Sequence, residues 1–349
     1  MVCMKPFVFY LLILLLFAAI GCKPDMNDNP QEPSLQIKVW NLSTGSKIAY
    51  VDFRSKDSSQ SIPLIFLHGG PGANQVKHAN IGRKWYEHLA ELGFDVYVFD
   101  QIGSGLSARL NDPAGYSVKR HVEDLEAIRK IIGKEKIILA GDSWGATLAS
   151  NYISFYPNHV LKAIFTSPGP IDHAVWNVKS STPRLAPEFL NWIKEKFGEE
   201  KYRHYIILDS LLQENIPLAY KYAGDREMDN LADDFLNDYI MHTTVHDPDI
   251  LEEKDMRMEG MGWWVMTMTI WDATNKSYSV ATNLLDNKIP VLILRGNSDY
   301  LPEGMADEYS NIFTNSKLIR IADCGHLIWL EKPEVFTKEI ESFLNNEIR

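Results

Sequence analysis

The chain has few cysteines, no surplus of positive charge and no internal repeat, and each shortage closes a class of explanation. Cys3, Cys22 and Cys324 are the only cysteines in 349 residues. A disulfide-stapled scaffold is therefore excluded, and stability must come from a hydrophobic core. The formal net charge of −11 argues against a nucleic-acid partner, which needs a basic surface. No repeat or low-complexity segment suggests a solenoid or a disordered array. What is present is ample core material: 45% of residues are hydrophobic, and the length suits one core that carries an insertion.

The N-terminus reads separately. Lys5 and the amino group give a positive start, Phe7 to Ile20 is an apolar run, and Ala18-Ala19-Ile20 leads into Gly21-Cys22. The run is too short for a comfortable membrane span. It resembles a bacterial lipoprotein signal, which implies a signal peptide over 1–21, lipidation at Cys22 and a protein anchored to the cell envelope. A plain signal peptide or anchor is the alternative. Residues 22–34, rich in Asn, Asp and Pro, read as a tether.

From Leu35 the pattern alternates, and Leu35–Trp40 with Lys47–Val51 reads as an opening β-hairpin around Ser43-Thr44-Gly45-Ser46. Continuous apolar runs follow at Pro63–Leu67, Phe94–Phe99, Lys136–Ala140 and Leu161–Thr166, separated by helical stretches at Ile81–Leu92, Val118–Ile132 and Ala146–Tyr156. Runs of this kind are what central parallel strands need when helices cover both faces. Between Gly169 and about Asn287 only helical patches occur, at Pro187–Phe197, Tyr202–Leu212, Met228–Met241 and Met261–Trp271. Strands return at Val291–Arg295 and Lys317–Ile321, before a final helix at Pro333–Asn345. The expected architecture is α/β: a doubly wound, mostly parallel sheet over 35–168 and 288–349, with a helical cap inserted over 169–287.

Gly141-Asp142-Ser143-Trp144-Gly145 follows a strand and opens a helix. A turn that tight forces Ser143 into a strained conformation with its hydroxyl outward, which is how a nucleophile is presented. Alone, such a pattern arises by chance in roughly one chain in ten of this length. Partners raise its weight. A serine needs a base, and the base needs an acid. Asp299 follows the Val291–Arg295 strand and His326 follows the Lys317–Ile321 strand, so the chain order is Ser, Asp, His. Asp172, after the strand that ends at Thr166, is the alternative acid. For the oxyanion, the backbone N–H of Trp144 is one candidate donor and that of Gly70, in His68-Gly69-Gly70-Pro71-Gly72, the other. His68 is expected to organise that loop.

Together with Asp100-Gln101-Ile102-Gly103-Ser104-Gly105-Leu106-Ser107, these motifs resemble the α/β-hydrolase superfamily and, within it, the proline iminopeptidases. The resemblance implies an α/β-hydrolase sheet, a triad of Ser143, Asp299 and His326, Trp144 as an oxyanion donor, no cofactor, and release of N-terminal residues from short peptides. It also implies cap carboxylates that bind the substrate's amine, for which Asp238 and Asp272 are the candidates. The chain departs from the family's usual motifs at Asp142, where glycine is typical, and at Ile102, where arginine is usual.

Two other functions compete: an esterase or amidase of small acyl substrates with the same triad, and a surface lipoprotein that binds without catalysis. In the cap, Met261, Trp263, Trp264, Met266 and Met268 read first as helical core rather than pocket. His242 and His246 have metal-like spacing, but Thr243 stands where a zincin carries its glutamate, so no metal is expected. Cys324 reads as a small buried residue.

Overall fold

The computed structural model describes residues 35–345 apart from 58–59, 177–181, 254–255, 277, 279 and 286. Cys22 and the apolar run before it lie outside the described residues. No described helix is long and apolar enough to cross a membrane.

Each apolar run from Pro63 onward becomes a strand. The described residues hold eight strands: β1 (Lys38–Asn41), β2 (Lys47–Phe53), β3 (Ile62–Leu67), β4 (Phe94–Phe99), β5 (Ile137–Asp142), β6 (Val160–Thr166), β7 (Val291–Gly296) and β8 (Ser316–Ile321). They form one sheet in the order β1-β2-β4-β3-β5-β6-β7-β8. The first hairpin is antiparallel and joins β4 antiparallel through β2, while β4 to β8 run parallel. β4 and β7 are buried along their whole length and β8, at the edge, is mostly not. That gradient is the one expected when helices sandwich a parallel sheet.

The strand order reverses between β3 and β5: the chain leaves β3 for β4 on one side and returns to β5 on the other. At such a switch point the connections leave in opposite directions and a crevice opens beyond the strand ends. The loop after β3, His68–Gly72, and the turn after β5, Gly141–Gly145, both exit there.

Between β6 and β7 the described residues form helices only. The two helical patches expected before Leu212 are one segment, Pro187–Glu214, broken at Gly198 with φ 83. After a short helix, Ile216–Tyr222, the helix Asp225–Phe235 widens into a five-residue π turn, Leu236–Ile240. A side chain explains the change: Asn237 Nδ2 donates to the Asp233 carbonyl at 2.8 Å, so side chain competes with backbone there. The helix Trp263–Asn275 starts later than its apolar pattern suggests. Asp233 accepts the N–H groups of Gly260 and Met261, and Asp229 accepts that of Trp263, which holds the preceding strap extended. Met261, Trp263, Trp264 and Met268 are buried in the core, in keeping with the simpler reading. The strap pins the helices to the sheet through Gly262 N–H to Gly72 O at 2.8 Å and Gly105 N–H to Gly260 O at 2.9 Å. An ion pair from Arg109 to Asp229, at 2.9 Å, adds to this.

Glycine spacing in the turn after β5 reflects contact. A Cβ on Gly145 would stand 2.0 Å from the Leu67 carbonyl oxygen, and one on Gly141 would stand 2.4 Å from the Gly145 oxygen. Gly45, by contrast, has a left-handed φ of +86°, but its Cβ would meet nothing within 4 Å. Gly145→Ala should therefore cost about 3 kcal/mol by overpacking β3 against the helix. Gly45→Ala should cost only about 1–2 kcal/mol, the strain of left-handed backbone. Urea midpoints of the two variants check this; equal midpoints would refute the close approach.

Candidate active site

Ser143 sits between β5 and the helix Trp144–Phe155 with φ 53 and ψ −117. The turn is held from three sides: Ser143 N–H donates to Thr166 O at 2.9 Å, and its carbonyl accepts from Ala146 at 3.0 Å and Gly169 at 3.1 Å. Its hydroxyl has no hydrogen-bond partner among the described residues and is partly exposed. Among the described residues three non-glycine residues have positive φ, namely Ser143, Ser167 and Asp323. All three border one place, since Ser167 Oγ donates to the His326 carbonyl at 2.7 Å and Asp323 opens the loop that carries His326. Backbone strain of this kind collects where geometry is over-determined for a purpose.

His326 Nδ1 and Asp299 Oδ1 are 2.9 Å apart, and both residues are buried. The Leu301 N–H donates to Asp299 Oδ1 at 2.9 Å, while Arg295 Nη1 stands 3.4 Å from Oδ2. Burial would push His326 down, but the Asp299 hydrogen bond and charge outweigh it, and with the charge of Asp142 they hold His326 above its ordinary value against Arg295. Burial likewise pushes Asp299 up, and the bonds and charges of His326, Leu301 and Arg295 hold it below the usual range. The pair is thus a carboxylate fixed on one imidazole nitrogen, leaving Nε2 free. The Tyr300 ring packs against the imidazole at 4.8 Å between centroids.

The loop after β3 is held by His68. Its Nε2 accepts the Gln101 N–H at 2.8 Å, so the proton lies on Nδ1, which donates to Gly69 O at 2.9 Å. Burial pushes His68 down, which keeps this tautomer neutral. With the Gly69 carbonyl turned to His68, the N–H of Gly70 points the opposite way across the planar peptide. Gln101 completes the frame, donating to His68 O at 2.9 Å and accepting from Trp144 Nε1 at 3.1 Å. The N–H of Trp144 lies in the first turn of its helix, where no intrahelical carbonyl is available. Gly70 and Trp144 thus offer two amide donors on the two sides of the switch-point crevice.

The carboxylates proposed for an amine have other partners. Asp238 accepts from Lys196 at 2.6 Å and from Trp192 at 3.3 Å, and Lys196 holds it below the usual carboxylate range. Asp272 is buried, accepts the Val118 N–H at 2.9 Å and the Tyr278 hydroxyl, and pairs with Lys276. Asp172 accepts the Ala174 N–H at 2.9 Å, so it begins a short helix, and the hydrogen-bond partner of His326 is Asp299. His242 and His246 are exposed, and His246 bonds Ser298 at 2.8 Å. No group of three or more metal-binding side chains is assembled among the described residues. Burial pushes the Cys324 thiol up to about 12, far from a reactive thiolate. A cleft of about 370 Å³ lined by Ala114, Leu212, Ile216 and Trp271 contains none of the site residues.

Several supports were not foreseen. The Thr244 carbonyl accepts the His326 N–H at 2.7 Å, and Glu331 accepts the N–H groups of Gly325 at 2.6 Å and His246 at 2.7 Å. A backbone acceptor leaves no mark in a sequence. Arg295, near the end of β7, and Tyr300, next to Asp299, could have been suspected from their closeness in sequence.

The sequence family described as the alpha/beta hydrolase fold matches residues 62–333. The chain belongs to the α/β-hydrolase family. Within it, the chain is 27% identical over 307 residues to a proline iminopeptidase of Thermoplasma volcanium, covering 84% of this chain and 92% of that one. It is 25% identical over 311 residues to a proline iminopeptidase of Heyndrickxia coagulans, covering 87% and 96%. Among solved structures it is similar to an esterase from Exiguobacterium antarcticum, with a TM-score of 0.58 at 17% identity over 88% of this chain and 99% of that one. This α/β hydrolase is therefore iminopeptidase-like in sequence, and its fold is shared with esterases.

The charges around His326 give a titration that NMR can read. Asp299 and Asp142 raise its pKa and Arg295 lowers it. The imidazole of the wild type should titrate above 6.5, its ordinary value, and in Asp299→Asn below it. A wild-type midpoint under 6.5 would contradict the assigned pair.

Proposed function

We propose that this α/β hydrolase is a serine hydrolase that releases N-terminal residues from short peptides through an acyl-enzyme. The observation that carries the reading is the strained Ser143 beyond β5, together with the buried Asp299–His326 hydrogen bond beyond β7 and β8. In this mechanism His326 Nε2 takes the proton from Ser143 Oγ as Oγ attacks the scissile carbonyl carbon. The negative charge that develops on the carbonyl oxygen falls to the N–H groups of Gly70 and Trp144. Collapse expels the amine, which receives the proton from His326. Water then enters and its oxygen attacks the acyl carbon as His326 takes its proton; the bond to Ser143 Oγ breaks, Oγ recovers that proton from His326, and the acyl group leaves as a carboxylic acid. Asp299 holds the tautomer and stabilises the imidazolium throughout.

Preference for a peptide rests on the two iminopeptidase relatives, each aligned over most of both chains. A second reading, hydrolysis of small acyl esters or amides, is favoured by the engagement of Asp238 and Asp272 with other partners. Proline-, alanine- and leucine-p-nitroanilides assayed beside p-nitrophenyl esters separate the two. Peptidase action predicts anilide turnover that N-acetylation reduces at least about 30-fold, the loss of one charge-assisted contact. Ester turnover with no anilide turnover would leave the esterase reading.

A further inference from the structure

Asp142 sits beside Ser143 and is not one of the three proposed triad residues, although its charge acts on His326. Its Oδ1 accepts from the Thr166 hydroxyl at 2.8 Å, which fixes the carboxyl plane. Its Oδ2 has no hydrogen-bond partner among the described residues, and it is not one of the partnerless atoms sealed from solvent. One reference point locates it: a Cβ built on Gly69 would lie 3.1 Å from Ser143 Cβ and 3.5 Å from Asp142 Oδ2. The open oxygen and the serine thus share one rim above Gly69.

We infer that Asp142 is a specificity-determining residue whose Oδ2 receives the protonated α-amine of an aminoacyl substrate held at Ser143. The inference rests on Ser143 being the nucleophile. The α-nitrogen is borne by the carbon next to the one attacked, so its partner must stand on the rim that Oγ occupies. A carboxylate on a cap helix would have to reach in; Asp142 is already there. Burial pushes Asp142 up, only partly offset by His326 and the Thr166 bond, and no Lys or Arg pairs with it among the described residues. A substrate ammonium supplies the positive charge that this carboxylate otherwise lacks. Aminoacyl recognition then needs neither Asp238 nor Asp272.

The test compares pyrrolidin-2-ylboronic acid with cyclopentylboronic acid, which match in shape and differ in the amine. Each boron accepts the Ser143 oxygen as the hydroxyl proton passes to His326, and binding is read by thermal-shift titration, independent of turnover. The wild type should bind the amine-bearing boronate about 30-fold tighter, the size of one charge-assisted hydrogen bond. Asp142→Asn should bring the ratio below about 3-fold, and Asp142→Glu should retain part of it. A merely structural role would weaken both boronates and leave their ratio. A wild type that binds both equally or neither, or an Asp142→Asn protein that keeps the ratio, overturns the inference. Loss of the ratio in Asp142→Asn beside a wild type that cuts no anilide would uphold the amine site and reject the peptidase reading.

Discussion

The contact on which the site depends is the close approach of the Gly145 backbone to the carbonyl of Leu67. Only a residue without a side chain lets the helix after β5 pack that tightly on β3. Ser143 must then complete the turn at φ 53. Strain at one residue is stable because its neighbours are over-determined: Thr166, Ala146 and Gly169 each hold its backbone. The same packing brings the loop after β3 against the elbow, so the posture of Ser143 and the positions of the Gly70 and Trp144 amides follow from one steric fact. The switch point in the sheet supplies the space in which they meet.

Electrostatics act on this scaffold at short range. Asp299 and His326 are both buried, and a buried charge is tolerated only with a partner and satisfied hydrogen bonds. The Leu301 N–H and Arg295 steady the carboxylate, while Thr244 and Ser167 fix the histidine by its backbone. The helical segments between β6 and β7 therefore do more than cover the sheet, since Thr244 belongs to them. Arg295 and Asp142 pull His326 in opposite directions, and the balance lies on the side of a raised proton affinity.

Much of this was legible in the sequence, for reasons that differ from part to part. Central strands such as β3 and β7 announce themselves because both faces are buried. Asp299 was readable as a candidate because it follows β7, and His326 because it follows the edge strand β8 and completes the order Ser, Asp, His. The break at Gly198 and the π turn at Leu236–Ile240 were not, because a glycine within a helical pattern and one side-chain bond from Asn237 alter geometry without altering periodicity. The amine-binding role considered for Asp272 met a similar limit: the Val118 N–H reaches it through helix packing, which spacing does not encode, although its i,i+4 pairing with Lys276 was readable. Asp142 was visible as a departure from the family's motif, but the orientation of its free oxygen over Gly69 needed coordinates.

The relatives in sequence are proline iminopeptidases, and the likeness to an esterase structure concerns the fold alone. Both proposed readings need Ser143 to become acylated. Reaction with a fluorophosphonate, followed by mass spectrometry of the labelled peptide, tests this most directly. One adduct is expected, on Ser143, abolished in Ser143→Ala and strongly slowed in His326→Ala. No adduct on the wild type, or an adduct that persists in Ser143→Ala, would contradict it.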